Sequence, residues 1–215
     1  MSKKNPEQDI WQADHIMVDI ETLGGDSKLS PILALAAMKF DPFGQVSELN
    51  TEVFKKRYIN ETNNGVYYNT LNLNEQLDKG RKIDIPTLKW WMNKPEKAAI
   101  LHDMLDEENE LKVSLVHQML SFSGWVKSVT SKYTYMWAYG NTFDVAFLET
   151  LYKDTKCIFP FHYRGLMDAR TLCQTYELVS GINFPFIEDS KSHHALADVY
   201  RQIMNVQQAI TFLRK

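Results

Sequence analysis

Chemistry first becomes conceivable in this chain where an apolar run takes in two acids, His15-Ile16-Met17-Val18-Asp19-Ile20-Glu21-Thr22-Leu23. Strand side chains alternate between faces, so Asp19 and Glu21 share one face while Val18 and Ile20 can enter a core on the other. Two carboxylates that close raise the pKa of one of them unless a cation lies between. An all-oxygen donor set selects a hard ion such as Mg²⁺ or Mn²⁺ over zinc. Taken alone, D-x-E is more readily a strand end with solvated acids, or a cap for the next helix, than a metal site. Further acids and a base downstream favour the metal reading. Asp144 opens a helix after the strand-like Tyr133 to Tyr139, near the carboxyl end of that strand, where open α/β sheets gather ligands. His193-His194-Ala195-Leu196-Ala197-Asp198 then sets a histidine just ahead of a helix and an aspartate one turn into it. Asp198 would be held rigidly as a ligand, with His193 on the loop free to swing toward a bound water. These roles fit a hydrolysis in which two metal ions about 3.5–4 Å apart hold the attacking and leaving oxygens. Histidine supplies the proton acceptor near neutral pH.

Something must position these groups, and the chain order suggests what. Residues 1–10 read as a polar, frayed tail and 11–215 as one domain. After the first strand, Gly24-Gly25-Asp26-Ser27 is a turn or flexible loop, and Pro31 to Phe40 a mostly buried strand. Asp41-Pro42-Phe43-Gly44 is a turn signal, so Gln45 to Phe54 should return as the next strand of an antiparallel meander. Residues 55–82 lack periodicity and read as an irregular insertion, a place for substrate contacts more than for core. Its clusters Lys55-Lys56-Arg57 and Lys79-Gly80-Arg81-Lys82 could meet phosphates, although solvated faces are the simpler reading.

Asp84-Ile85-Pro86-Thr87 opens a helix carrying Trp90-Trp91 that stops near Asn93-Lys94-Pro95, and Pro95 to Leu105 forms a second. Adjacent tryptophans on a helix point in different directions, so one belongs to the core. The other, taken as Trp91, can stack on a base, a contact worth roughly 1–3 kcal/mol. An acidic surface loop at 106–110 leads to an amphipathic helix over Ser114 to Val129. Tyr133 to Tyr139 is a central strand and Gly140-Asn141-Thr142 a tight turn before a helix over Val145 to Tyr152. A loop over Phe159 to Gly165, a short strand over Met167 to Thr171, a helix to Val179 and a loop over Gly181 to Ser192 precede a long helix over Ala195 to Leu213. Strands first, then alternation of helix and strand, predict an α/β fold: a mixed β-sheet flanked by helices, in a single domain.

Composition narrows the function classes. The net charge of −3 over 215 residues argues against a protein that coats nucleic acid nonspecifically. It leaves room for an enzyme whose acids are neutralised by metal ions. No repeat, low-complexity tract or membrane-length apolar run is present, and the polar start lacks a signal-peptide core, so a cytoplasmic setting is expected. Cys157 and Cys173 form no C-x-x-C and read as buried thiols in preference to a disulfide.

Together the three motifs resemble a known family, the DEDD exonucleases of ribonuclease H-like fold, in their histidine (DEDDh) version. Asp19-Ile20-Glu21-Thr22 is similar to the first motif, Phe143-Asp144-Val145-Ala146-Phe147-Leu148 to the second and His193 to Asp198 to the third, in the family's order from about His15 to the C-terminus. Thr87-Leu88-Lys89-Trp90-Trp91, Met136 to Asn141 and Asp168-Ala169-Arg170-Thr171 resemble more loosely the phage branch of exonuclease A and exodeoxyribonuclease VIII-type domains. A phage protein would work in the host cytoplasm.

The resemblance implies a 3′→5′ exonuclease whose partner is nucleic acid with a free 3′ end, single-stranded DNA by preference, with RNA 3′ ends as the alternative substrate. By position, Asp19, Glu21, Asp144 and Asp198 would ligate two Mg²⁺ or Mn²⁺ ions, and His193 would deprotonate the water. Thr22 and Leu23 would meet the terminal nucleotide, Leu23 as an apolar wedge, with Phe143 packed beside it. Many relatives carry asparagine four residues before the second-motif aspartate, where this chain has Gly140; Asn141 is the candidate replacement. The pattern H-x-A-x-x-D selects His193 as base and leaves His194 as a helix-start residue. Asp168 reads as a helix cap or salt-bridge partner, with a supporting role toward Arg170 and the site as the alternative. His15, His102, His117 and His162 show no such spacing, and Lys191 and Ser192 lie on a loop within reach of phosphate.

Two other readings compete. A non-catalytic nucleic-acid or protein-binding module has no physical need for four converging acids and a base. An endonuclease of the same broad fold conflicts with the histidine on the third motif. Oligomerisation, if any, would use an exposed face of 55–82, the candidate interface of a homo-oligomer.

Overall fold

The alternating segment forms strand β1 (Asp14–Thr22), and the apolar run after it forms β2 (Ile32–Phe40), antiparallel to β1. The structure, a computed structural model, describes residues 10, 12–44, 58–63, 65–105, 113–187 and 193–214. Beyond β2 lie β4 (Val66–Thr70) and then β3 (Tyr58–Glu61), both pairings antiparallel. On the other flank of β1, β5 (Thr134–Ala138) runs parallel to it and β6 (Leu166–Asp168) parallel to β5. The sheet is therefore mixed and six-stranded, in the order β3-β4-β2-β1-β5-β6.

Residues 58–82 differ from the expected irregular insertion. They supply β3, β4 and a short helix α1 (Leu73–Asp78) to the body of the fold. Tyr67 and Tyr68 are buried, and the Tyr67 ring packs on Phe122 and Trp125. A strand built on tyrosine and asparagine looks polar by letter, yet each tyrosine buries a large apolar ring. Arg81 is also structural. Only 5% exposed, its guanidinium donates to the carbonyls of Ser27 and Ser30 and to the Asp154 carboxylate, which excludes it as a phosphate contact. The expected strand Gln45 to Phe54, the cluster Lys55-Lys56-Arg57, the acidic loop 106–110, Lys191, Ser192 and all of the tail but Ile10 lie outside the described residues.

Helices cover both faces of the sheet. Ile16, Val18 and Ile20 pack beneath α4 (Leu115–Val129) and α5 (Asn141–Asp154). Met17, on the opposite face, joins a second core with α2 (Ile85–Trp91), α3 (Pro95–Leu105) and α7 (Ala195–Leu213). The remaining helix, α6 (Ala169–Ser180), lies against α7. Helix starts follow local chemistry: the Asp84 carboxylate accepts the Thr87 N–H and the Ser114 hydroxyl that of His117. Asn141–Thr142, expected as a turn, already belongs to α5, because Gly140 alone makes the reversal at φ +96°. Both cysteines are free thiols, Cys173 buried and Cys157 half-buried.

Candidate active site

Parallel pairing of β1 with β5 ends at Met17 and Trp137, and β1 continues to Thr22 without it. The site forms in that gap. Asp19 and Glu21 project on the α7 face, and their cross-strand partners are Ala36 and Ala34, small enough to let α7 come close. The β1–β2 register shifts between Glu21 and Thr22, an irregularity that re-aims the strand end. α7 brings Asp198 in its first turn, and one oxygen each from Asp19, Glu21 and Asp198 lie within 4.8 Å of one another. Asp144, in the first turn of α5, is buried and accepts a hydrogen bond from the backbone N–H of Ile20.

This packing is electrostatically costly without a cation. Burial first, then the charges of Asp144 and Asp198, push Asp19 well above the usual carboxylate range. Burial, then Asp19, Asp198 and Asp144, do the same to Glu21. Asp144 is pushed up to about 7, again chiefly by burial, against hydrogen bonds from its own amide and that of Ile20 and the charge of Arg170. Gln202 donates to Asp19 Oδ1 at 2.8 Å, and Arg201 Nη2 donates to Asp198 Oδ1. These two contacts offset part of the repulsion. The clustered all-oxygen donor set fits a hard divalent ion.

His193 stands at the mouth of this cluster, with a left-handed backbone at φ +78°. Its N–H donates to Asp198 Oδ2 at 3.1 Å, which ties the loop to the first turn of α7. Its ring sits 4.7 Å from that of Trp90 and 6.2 Å from that of Trp91, edge to face. Burial, followed by the charges of Lys97, Arg201 and Lys94, holds its pKa below the ordinary histidine value. His194 caps α7 and stacks on Tyr68 at 5.0 Å, in keeping with a helix-start role.

The tryptophan assignment reverses. Trp91 is 1% exposed and its Nε1 donates to the Thr22 carbonyl, so it belongs to the core and supports the end of β1. Trp90 is the exposed member, with Lys97 Nζ over its ring at 3.3 Å. Leu23 is likewise buried at 1% and packs into the α7-side core, which leaves no apolar wedge at that side chain. Thr22 is half-buried, its hydroxyl donating to the Gly24 carbonyl, while Phe143 is exposed and rests on Phe147. The Asn141 N–H and that of Thr171 both donate to the Asp168 carboxylate, each at 2.7 Å, so Asp168 caps α6 and ties it to the start of α5. The remaining histidines stand apart; His15, for example, is buried and accepts from Trp137 Nε1.

Arg201 and Gln202 escaped the sequence reading. They lie three and four residues after Asp198, the spacing that puts helix side chains on one face, and that spacing was the available signal.

Comparison with known proteins gives the family and the fold. The family model described as the 3′-5′ exoribonuclease Rv2179c-like domain matches residues 14–210. No curated protein matches the sequence. Among solved structures, the zinc-bound form of the E. coli ExoI–ssDNA complex superimposes with a TM-score of 0.59 at 16% identity, over 95% of this chain and 42% of that one. Exonuclease I in the structure concerned with its processivity gives 0.59 at 16% over 93% and 41%. E. coli Exonuclease I with a dT13 oligonucleotide gives 0.58 at 17% over 94% and 42%. The chain thus spans about two fifths of the exonuclease I chains it matches, and at these identities the likeness is one of fold: the ribonuclease H-like exonuclease fold.

Proposed function

Because the chain belongs to the family of the 3′-5′ exoribonuclease Rv2179c-like domain, and is thereby a 3′-5′ exonuclease domain and a hydrolase, we propose that it trims nucleotides from the free 3′ end of single-stranded RNA. Single-stranded DNA is the second reading, favoured by the ssDNA held by E. coli ExoI on the same fold. RNA is placed first because the family match runs over 14–210, whereas the DNA complexes share only the fold. Neither comparison carries the looser resemblance to the phage exonuclease A and exodeoxyribonuclease VIII-type branch.

One observation carries the proposal: Asp19, Glu21 and Asp198 converge within 4.8 Å, with buried Asp144 close enough to raise the pKa of Asp19 and the His193 N–H on Asp198. Asp19, Glu21, Asp144 and Asp198 would hold two Mg²⁺ or Mn²⁺ ions. Bound there, the ions supply Lewis-acid activation of water and stabilise charge on the leaving oxygen. The chain's own residues do the rest. His193, neutral near pH 7 because its pKa is lowered, takes the proton of the attacking water on an imidazole nitrogen. Gln202 and Arg201 hold Asp19 and Asp198 in place. Exposed Phe143 and Trp90 offer apolar surface to the terminal bases, a stacking contact that tolerates any base.

The test is a gel time course with 5′-labelled RNA and DNA single strands of one sequence, Mg²⁺ or Mn²⁺, and the Asp19→Ala protein as control. Shortening from the 3′ end, faster on RNA and absent in the variant, is the expected result. Intact strands with the unmodified protein in every lane would overturn the reading, and faster loss of DNA would put the second reading first.

A further inference from the structure

Arg170 is only partly accounted for by its structural partners, the charge of Asp168 two residues before it and the Tyr139 side chain and carbonyl. It is the second residue of α6, in the first turn, where the helix dipole disfavours a cation. It is exposed, and among the described residues no carboxylate lies within salt-bridge distance of its guanidinium. The group is nevertheless held in place. Nη2 donates to the Tyr139 carbonyl at 3.2 Å, and the guanidinium carbon lies 4.9 Å from the centre of the Tyr139 ring. It passes directly over Gly140, where an added Cβ would stand 2.9 Å from Nη2 and 3.1 Å from Cζ. The missing side chain at 140 is therefore what allows the arginine to lie across the turn between β5 and α5.

That location is beside the chemistry. Gly140 precedes the helix turn carrying exposed Phe143 and buried Asp144, and the charge of Arg170 acts on Asp144. A guanidinium fork that bonds Tyr139 and is otherwise turned to solvent, close enough to Asp144 for its charge to be felt there, matches the bidentate geometry of a phosphodiester. The acids would otherwise repel a polyanionic strand. We propose that Arg170, seated over Gly140, is a substrate-binding residue that receives a backbone phosphate of the strand adjacent to the one being cleaved. This rests on the exonuclease reading and adds a contact to it. Arg170 would select for a substrate continuing 5′ of the scissile bond, so dinucleotides should suffer less from its loss than longer strands.

The experiment compares the unmodified protein with Arg170→Met and Arg170→Lys on a labelled oligonucleotide of the preferred sugar, across a salt series, with thermal melting of each protein. For Arg170→Met, KM should rise about tenfold, with kcat falling by less. The slope of log KM against log salt should fall by about 0.7, the value for one phosphate contact on a single strand. Arg170→Lys should recover the slope and part of the KM. Melting temperature should hold or rise slightly, since a cation leaves the start of α6. Unchanged KM and slope in Arg170→Met would overturn the proposal, as would a lowered melting temperature with unchanged KM, which marks a structural arginine. Failure of the unmodified protein to degrade any strand would instead defeat the exonuclease reading itself.

Discussion

The two ends of β1 each carry buried acid, and they are built to opposite ends. At the start, Asp14 forms an ion pair with Lys39 at 2.7 Å and accepts the N–H groups of Ser131 and Lys132. Although burial opposes it, these partners hold its carboxyl below the usual range. At the other end, Asp19 and Glu21 crowd toward Asp144 and Asp198 with Gln202 and Arg201 as partial relief, and burial drives their pKa values up. The first acid is satisfied by the chain itself. The second group has no such partner of full opposite charge to each acid, and a cation from solution is the partner proposed for it. A strand can bear both because a satisfied carboxylate stabilises the fold, while the strain of an unsatisfied cluster is relieved on binding.

The largest expected effect that separates the two ends is on activity. Asp19→Asn should lower the rate by at least roughly 10³-fold, as loss of a proposed metal ligand removes several kcal/mol of transition-state stabilisation. In metal-free buffer the same protein should melt no lower than the parent, since a repelling charge is gone. Asp14→Asn should do the converse: a loss of roughly 2 kcal/mol in urea unfolding, with activity per folded molecule retained. Equal behaviour of the two variants in both assays would erase the distinction.

Next in size is the response to pH. Asp144 has a folded pKa of about 7, above its unfolded value. The stability this gives is whole below the unfolded pKa and is lost as pH climbs through about 7. Metal-free protein should therefore melt lower at pH 8 than at pH 5, by calorimetry in EDTA, and Mg²⁺ at about 100 times its Kd should restore about 2.7 kcal/mol at the higher pH. Asp14 runs the other way. Its contribution is present above the unfolded carboxylate pKa and is lost as pH falls through the lowered folded value.

The smallest effect concerns His193, the proposed base. Because burial and then Lys97, Arg201 and Lys94 lower the His193 pKa, the acid limb of the rate profile should lie below the ordinary histidine value of 6.5. Lys97→Met should move that limb upward, since one of the charges that lower the His193 pKa is removed. A limb unmoved by this change would place the governing proton elsewhere.

Particular residues show where sequence reading succeeds. Helix α7 begins and ends where its pattern predicts, at Ala195 and Leu213, and α2 begins after its Asp84 cap. Such boundaries are encoded locally, by capping oxygens and by a 3.6-residue stripe. The strand at Val66–Thr70 was not legible, because its burial comes from tyrosine rings that only a facing helix makes apolar. Trp90 and Trp91 show the same limit: both letters are identical, and the hydrogen bond to the Thr22 carbonyl decides which one is core. Trp91, Leu23 and Arg81 differ from their sequence expectations for that reason, as the role of each depends on what packs against it.

By itself, then, the sequence determined the acids, the histidine, their order and the elements that bear them, since residue type and periodicity are properties of the chain. Only the tertiary structure decided that Asp19, Glu21 and Asp198 meet within 4.8 Å, that Arg201 and Gln202 join them, and that Arg170 crosses Gly140. Those facts depend on strand register, helix docking and the space left by alanines and one glycine. Side chains far apart in sequence fix them jointly, through close packing that no single segment encodes.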